Sequence, residues 1–151
     1  MATKIAQQET VSTTLIGRWE QVCQKLAGLA EEIPANKFDY KPADGVRTVA
    51  EILRHAAFWN LYVADAVRGK KGNDTDNELS REKYSSKKQI IDALTSSASE
   101  VSKALRAAAP PELRPETVET LVAFIEHNCE HYGQLAVYAR MNKIVPPASR
   151  G

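Results

Sequence analysis

The sequence predicts an all-α fold, an antiparallel up-down four-helix bundle, on three observations. Apolar residues recur at helical spacing in four separate stretches, two of those stretches open on a capping-box pair, and the segments between them are rich in proline, glycine and charge. No stretch shows the alternation of a half-buried strand. The chain of 151 residues fits one domain spanning 1–151, long enough to bury a core without disulfides or metals. A metal held by such a chain is free to serve function rather than folding.

In helix 1, Leu15, Trp19, Val22, Leu26, Leu29 and Ile33 alternate spacings of four and three, the seam of a helix packed in a bundle. The following PANKFDYKPADGVR contains two prolines and a glycine and reads as an ordered loop. Thr48 and Glu51 have capping-box spacing and open helix 2, which runs to Val67 before GKKGNDTDNELSREKYSS breaks it. Ser86 and Gln89 repeat the capping-box spacing, and Ile90, Leu94, Ala98, Val101 and Leu105 mark one face of helix 3. AAPPELRP stops it. Pro115 suits the first turn of helix 4, carried to about Asn142 because Pro146 and Pro147 follow.

Twenty basic and nineteen acidic residues leave a formal charge of +1 with no long run of one sign, so neither nucleic acid nor an anionic membrane is expected as a partner. The N-terminal MATKIAQQETVSTTLIGRWEQ has polar or charged residues at short intervals and offers neither a signal-peptide core nor a membrane span, so a cytoplasmic location is expected. Cys23 and Cys129 are too few for a disulfide framework and read as buried thiols.

The chain has three histidines, and His127 and His131 stand four apart in the middle of helix 4. At roughly 100° per residue they leave one face of the helix about 40° apart, which lets their rings converge on one point. Phe124, Gln134 and Tyr138 fall near the same stripe, and His55 on helix 2 keeps company with Ile52, Trp59 and Tyr62. In an up-down bundle helices 2 and 4 are diagonal neighbours whose core faces meet near the axis, so one divalent metal ion held by His55, His127 and His131 becomes feasible. Height is the obstacle. Parallel helices starting level would hold His55 roughly 8 to 14 Å from the pair, at about 1.5 Å per residue, so the site requires a stagger. The competing reading is that these are hydrogen-bonded core histidines. Cys129 lies roughly 200° around the wheel from His127 and is not counted as a ligand.

FDYKPADGVRTVAEILRHAAFW and HNCEHYGQLAVYARMNKIVPPAS together resemble the two motifs of the DinB/YfiT-like family, the DinB superfamily of candidate metalloenzymes: a loop, capped helix and first histidine, then two histidines four apart, a Gly-Gln pair and a proline-rich tail. The resemblance covers nearly the whole chain. It implies a four-helix bundle with a metal on three histidines, here His55, His127 and His131, in helices suitably staggered. It also implies a homodimer and, for some members, transferase chemistry with a low-molecular-weight thiol such as bacillithiol or mycothiol. Trp59 stands four after the first histidine, where acidic residues are common in such stretches.

Three neutral imidazoles leave a divalent ion its full charge and an open position, the arrangement of catalytic zinc sites, although imidazole suits nickel, iron and copper as well. The expected function is a metal-dependent enzyme acting on a small-molecule substrate, with thiol S-transfer ahead of hydrolysis. A non-catalytic metal-binding or dimerisation protein is the alternative. Gln134 and Tyr138 are candidates for contact with the ligands or substrate. Glu51 is expected to serve as a cap rather than to orient His55. Trp59 and Tyr62 are placed in the core before the wall of a pocket.

Overall fold

The computed structural model describes residues 10–109 and 112–150, and the regular structure among them is helical throughout. The first nine residues of the N-terminal stretch and the Pro110–Pro111 stop lie outside the described residues. The helices are α1 (Val11–Glu32), α2 (Val49–Val67), α3 (Lys87–Ala108) and α4 (Pro115–Met141). Both expected capping boxes form: Thr48 and Ser86 each accept from the backbone N–H three residues on, and Glu51 and Gln89 reach back. A third opens α1, where Thr10 and Thr13 cap each other and start the helix four residues before the apolar seam. Pro115 begins α4 as expected, its missing N–H being one the first turn leaves unpaired in any case.

The up-down order of the helices does not hold. Contacts between α1 and α3 run in opposite senses, Trp19 Nε1 donating to the Ala98 carbonyl and Lys87 Nζ to those of Glu31 and Ile33. Contacts between α1 and α4 run in the same sense, from Ser12 with Leu113, through Cys23 with Asn128, to Lys25 over Tyr132. The helix α2 likewise runs parallel to α3, pairing Asn60 with Ser97 and Arg68 with Glu100, and antiparallel to α4, pairing Arg47 with Tyr138 and Asn60 with Asn128. The directions are therefore up, down, down, up. Each of α1 and α2 packs between α3 and α4, so α2 and α4 are adjacent rather than diagonal.

The connection from α2 to α3 is the physical reason. Instead of turning back into an antiparallel helix, it retraces α2 toward its start: Gly72 lies under the Tyr62 ring, Asn77 beside Trp59, the Leu79 N–H on the Arg54 carbonyl and Arg81 on Glu51. A Cβ on Gly72 would come within 2.5 Å of the Tyr62 ring, so this close approach requires glycine. When α3 begins, the chain is back level with the start of α2.

Two apolar clusters fill the bundle. Leu26, Leu29, Ile52, Leu53, Leu94 and Leu135 form one, and Trp19, Val63, Val101, Leu105 and Leu121 the other. Between them each helix contributes a polar group: Asn128 donates to Asn60 Oδ1 and contacts Cys23 Sγ, and Asn60 donates to Ser97 Oγ. Such a layer penalises any slip of one helix past another, because a slip buries unpaired amides.

The histidines belong to neither cluster. Metal-free protein is accordingly expected to keep its helical circular dichroism after chelation; loss of most of the helix would make a metal structural.

Candidate metal centre

Because α2 and α4 run in opposite senses, the height obstacle disappears. His55, early in α2, meets the second half of α4, and the three histidines come together. His127 Nε2 lies 3.0 Å from His55 Nε2 and 3.2 Å from His131 Nε2. His55 is buried and the other two are half-buried.

Hydrogen bonds decide which ring nitrogens carry protons. His55 Nδ1 is 2.5 Å from the backbone carbonyl of Asn77, which can only accept, so Nδ1 holds the proton and Nε2 keeps its lone pair. For His131 the chain of logic is longer. The Arg47 carbonyl accepts from the Tyr138 hydroxyl at 3.0 Å, so that hydroxyl, its proton spent, accepts from the Gln134 amide nitrogen at 3.1 Å. Gln134 Oε1 is thereby turned toward His131 Nδ1, 3.1 Å away, and accepts its proton. His131 Nε2 also presents a lone pair. His127 Nδ1 is buried without a hydrogen-bond partner.

Two lone pairs thus converge on His127 Nε2, and a single ring proton there satisfies only one of the two contacts. A cation satisfies all three Nε2 atoms at once. A tetrahedral ion with ligands at about 2.0–2.1 Å separates its donor atoms by roughly 3.3–3.4 Å, close to the spacings found. The donor set fits a divalent metal. Burial lowers the pKa of all three imidazoles; for His127, burial and then the charges of His131 and His55 bring it down to about 4. At neutral pH the rings are uncharged and ready to ligate.

The surroundings differ in part from expectation. Gln134 and Tyr138 orient a histidine, as their position on the stripe suggested. Glu51 caps α2 and pairs with Arg81 rather than orienting His55. Trp59 and Tyr62 lie outside both core clusters and form, with Phe124, an aromatic wall against His127: Trp59 stacks on Phe124 at 5.8 Å, and Phe124 meets His127 edge-on at 5.6 Å. The Trp59 indole N–H donates to the Asn77 side chain at 3.0 Å and so steadies the residue whose carbonyl holds His55. Cys129 is exposed, not buried, and joins no ligand group. Cys23 is half-buried beside Asn128, and burial pushes its thiol up to about 12.

Asn77 and Arg47 escaped the sequence reading. Each acts on a histidine through its backbone carbonyl, which no side-chain pattern reports.

A family model described as the DinB superfamily matches residues 18–135, which include all three histidines and the return loop. The chain belongs to the DinB superfamily. No curated protein matches it. The matched segment of this DinB-superfamily chain contains the Asn77 support of His55 and the Gln134 support of His131, but stops short of Tyr138.

Tyr138→Phe removes the hydroxyl oxygen that accepts from the Gln134 amide and so orients it. Metal affinity, measured by competition with a chelator, is expected to fall roughly tenfold with the helical spectrum unchanged, as for other groups that orient metal ligands. Unchanged affinity would show that the relay does not orient His131.

Proposed function

We propose that the protein holds one divalent metal ion per chain on the Nε2 atoms of His55, His127 and His131, and that it is a metal-dependent enzyme for which thiol S-transfer ranks ahead of hydrolysis. The observation that carries this reading is the convergence of three neutral imidazoles, two with their lone pairs fixed by hydrogen bonds, His55 to the Asn77 carbonyl and His131 to the Gln134 amide oxygen, with no fourth protein donor in the group among the described residues. A divalent ion in such a set supplies Lewis acidity at an open position, lowering the pKa of a water or thiol that enters it.

The chain's own groups support a small-molecule reaction there. The Trp59, Tyr62 and Phe124 wall screens one side of the cluster from water. On another side a cleft of about 620 Å³ reaches Asn77 and Gln134, the residues that hold two of the histidines, and its size suits a small substrate. Neither cysteine stands in the ligand group, and Cys23 is too strongly protonated to serve as a nucleophile. Any thiol in the reaction is therefore expected to come from outside as a low-molecular-weight co-substrate.

Elemental analysis of untagged protein is expected to find about one divalent ion per chain, and His127→Ala and His131→Ala are each expected to weaken its retention against a chelator at least about tenfold. Wild-type retention in both variants would remove the site. With cobalt bound, adding a low-molecular-weight thiol is expected to produce a sulfur-to-cobalt charge-transfer band that Cys129→Ser leaves intact. Absence of the band with turnover of phosphate or ester substrates would make the protein a hydrolase; absence of both would leave a binding protein.

A further inference from the structure

The cleft beside the histidines is lined by Arg47, Glu51, Asn77, Glu78, Arg81 and Gln134, among other residues, and its charges are matched except for one. Arg81 bridges Glu51 and Glu78, and the buried Arg54 stands behind Glu78 at 3.6 Å. No carboxylate pairs with the Arg47 guanidinium among the described residues. Yet Arg47 is among the better anchored residues of the loop: its carbonyl is held by Tyr138 on α4, and Thr48, the next residue, caps α2. Its half-exposed side chain starts from a fixed point on the rim, and its positive charge is felt by all three imidazoles. An uncompensated guanidinium, carried on an anchored stretch of backbone beside a neutral donor set, suits a planar anion, which it can grip through two parallel N–H bonds.

We propose that Arg47 is the recognition residue for a carboxylate on the substrate, gripping that end of the molecule while the other end reaches the metal. The inference rests on the metal-site reading above and adds the substrate class to it. The glutamates of the cleft do not oppose such an anion because Arg81 and Arg54 already neutralise them. The same groups disfavour a cationic substrate, which would meet Arg47 with nothing to offset it.

The test uses cobalt-loaded protein and two probes that differ by one group, imidazole and 3-(imidazol-4-yl)propionate, each followed by the cobalt visible spectrum. The carboxylate-bearing probe is expected to bind roughly tenfold or more tightly than imidazole, as a charge-assisted pair allows. Arg47→Gln is expected to erase that preference, read as the ratio of the two probes' affinities within each protein, and Arg47→Lys to retain part of it. Equal binding of both probes to the wild type, or a preference that survives in Arg47→Gln, would overturn the assignment. If neither probe alters the spectrum, the open metal position is wrong, and Arg47 is then judged separately by its Nε–H resonance during titration of the purified protein with glutarate. A saturable shift there supports a carboxylate subsite; no shift overturns it.

Discussion

Two backbone carbonyls, those of Asn77 and Arg47, set the chemistry of the histidine cluster. Carbonyls have no proton to give, so whatever bonds to them must donate, and that direction passes to His55 in one step and through Tyr138 and Gln134 to His131. A side-chain carboxylate in the same place would add a charge that changes with pH. A carbonyl adds none, and it moves only if the backbone moves. The result is two imidazoles held in the tautomer that aims Nε2 lone pairs at the third, so much of the ordering that a metal site requires is already present in the fold.

The return loop between α2 and α3 makes this possible. By running back along α2 it brings Asn77 to His55 and sets α3 parallel to α2, and the remaining antiparallel contacts then place α4 beside α2 with its histidines at the height of His55. The loop is secured along its length by Gly72 under Tyr62, by the Arg54 side chain reaching the Tyr84 carbonyl at 3.3 Å and by Arg81 on Glu51. Arg54 is 6% exposed, and removing the loop's partners would leave its charge buried beside an apolar core, a costly state. Loop placement and the geometry of the histidine cluster are thus one property.

The helices were legible because each carries its own local signals. Apolar spacing marked α1 and α3, the Thr48–Glu51 and Ser86–Gln89 boxes marked two starts, and Pro115 marked a third. The Thr10–Thr13 box was not read, since threonine in place of glutamate at the third position is a weaker sign. Helix order and direction were misread because they depend on where the 19-residue loop between α2 and α3 lies, and that is settled by Gly72, Asn77 and Arg81 meeting residues of α2 far away in sequence. The same limit hid the roles of Asn77 and Arg47, which use backbone atoms. The histidines were found because an i, i+4 pair on a half-apolar face is a local pattern, while their meeting with His55 needed the tertiary arrangement.

The central claim is that three imidazoles, and no other protein group, surround the metal and leave one side open. X-ray absorption at the metal edge of zinc-loaded protein tests it most directly. The account predicts three imidazole nitrogens at about 2.0–2.1 Å with the remaining scattering from oxygen that exogenous ligand replaces. A fourth ligand from the protein, whether sulfur at about 2.3 Å or a carboxylate that no added ligand displaces, would contradict it.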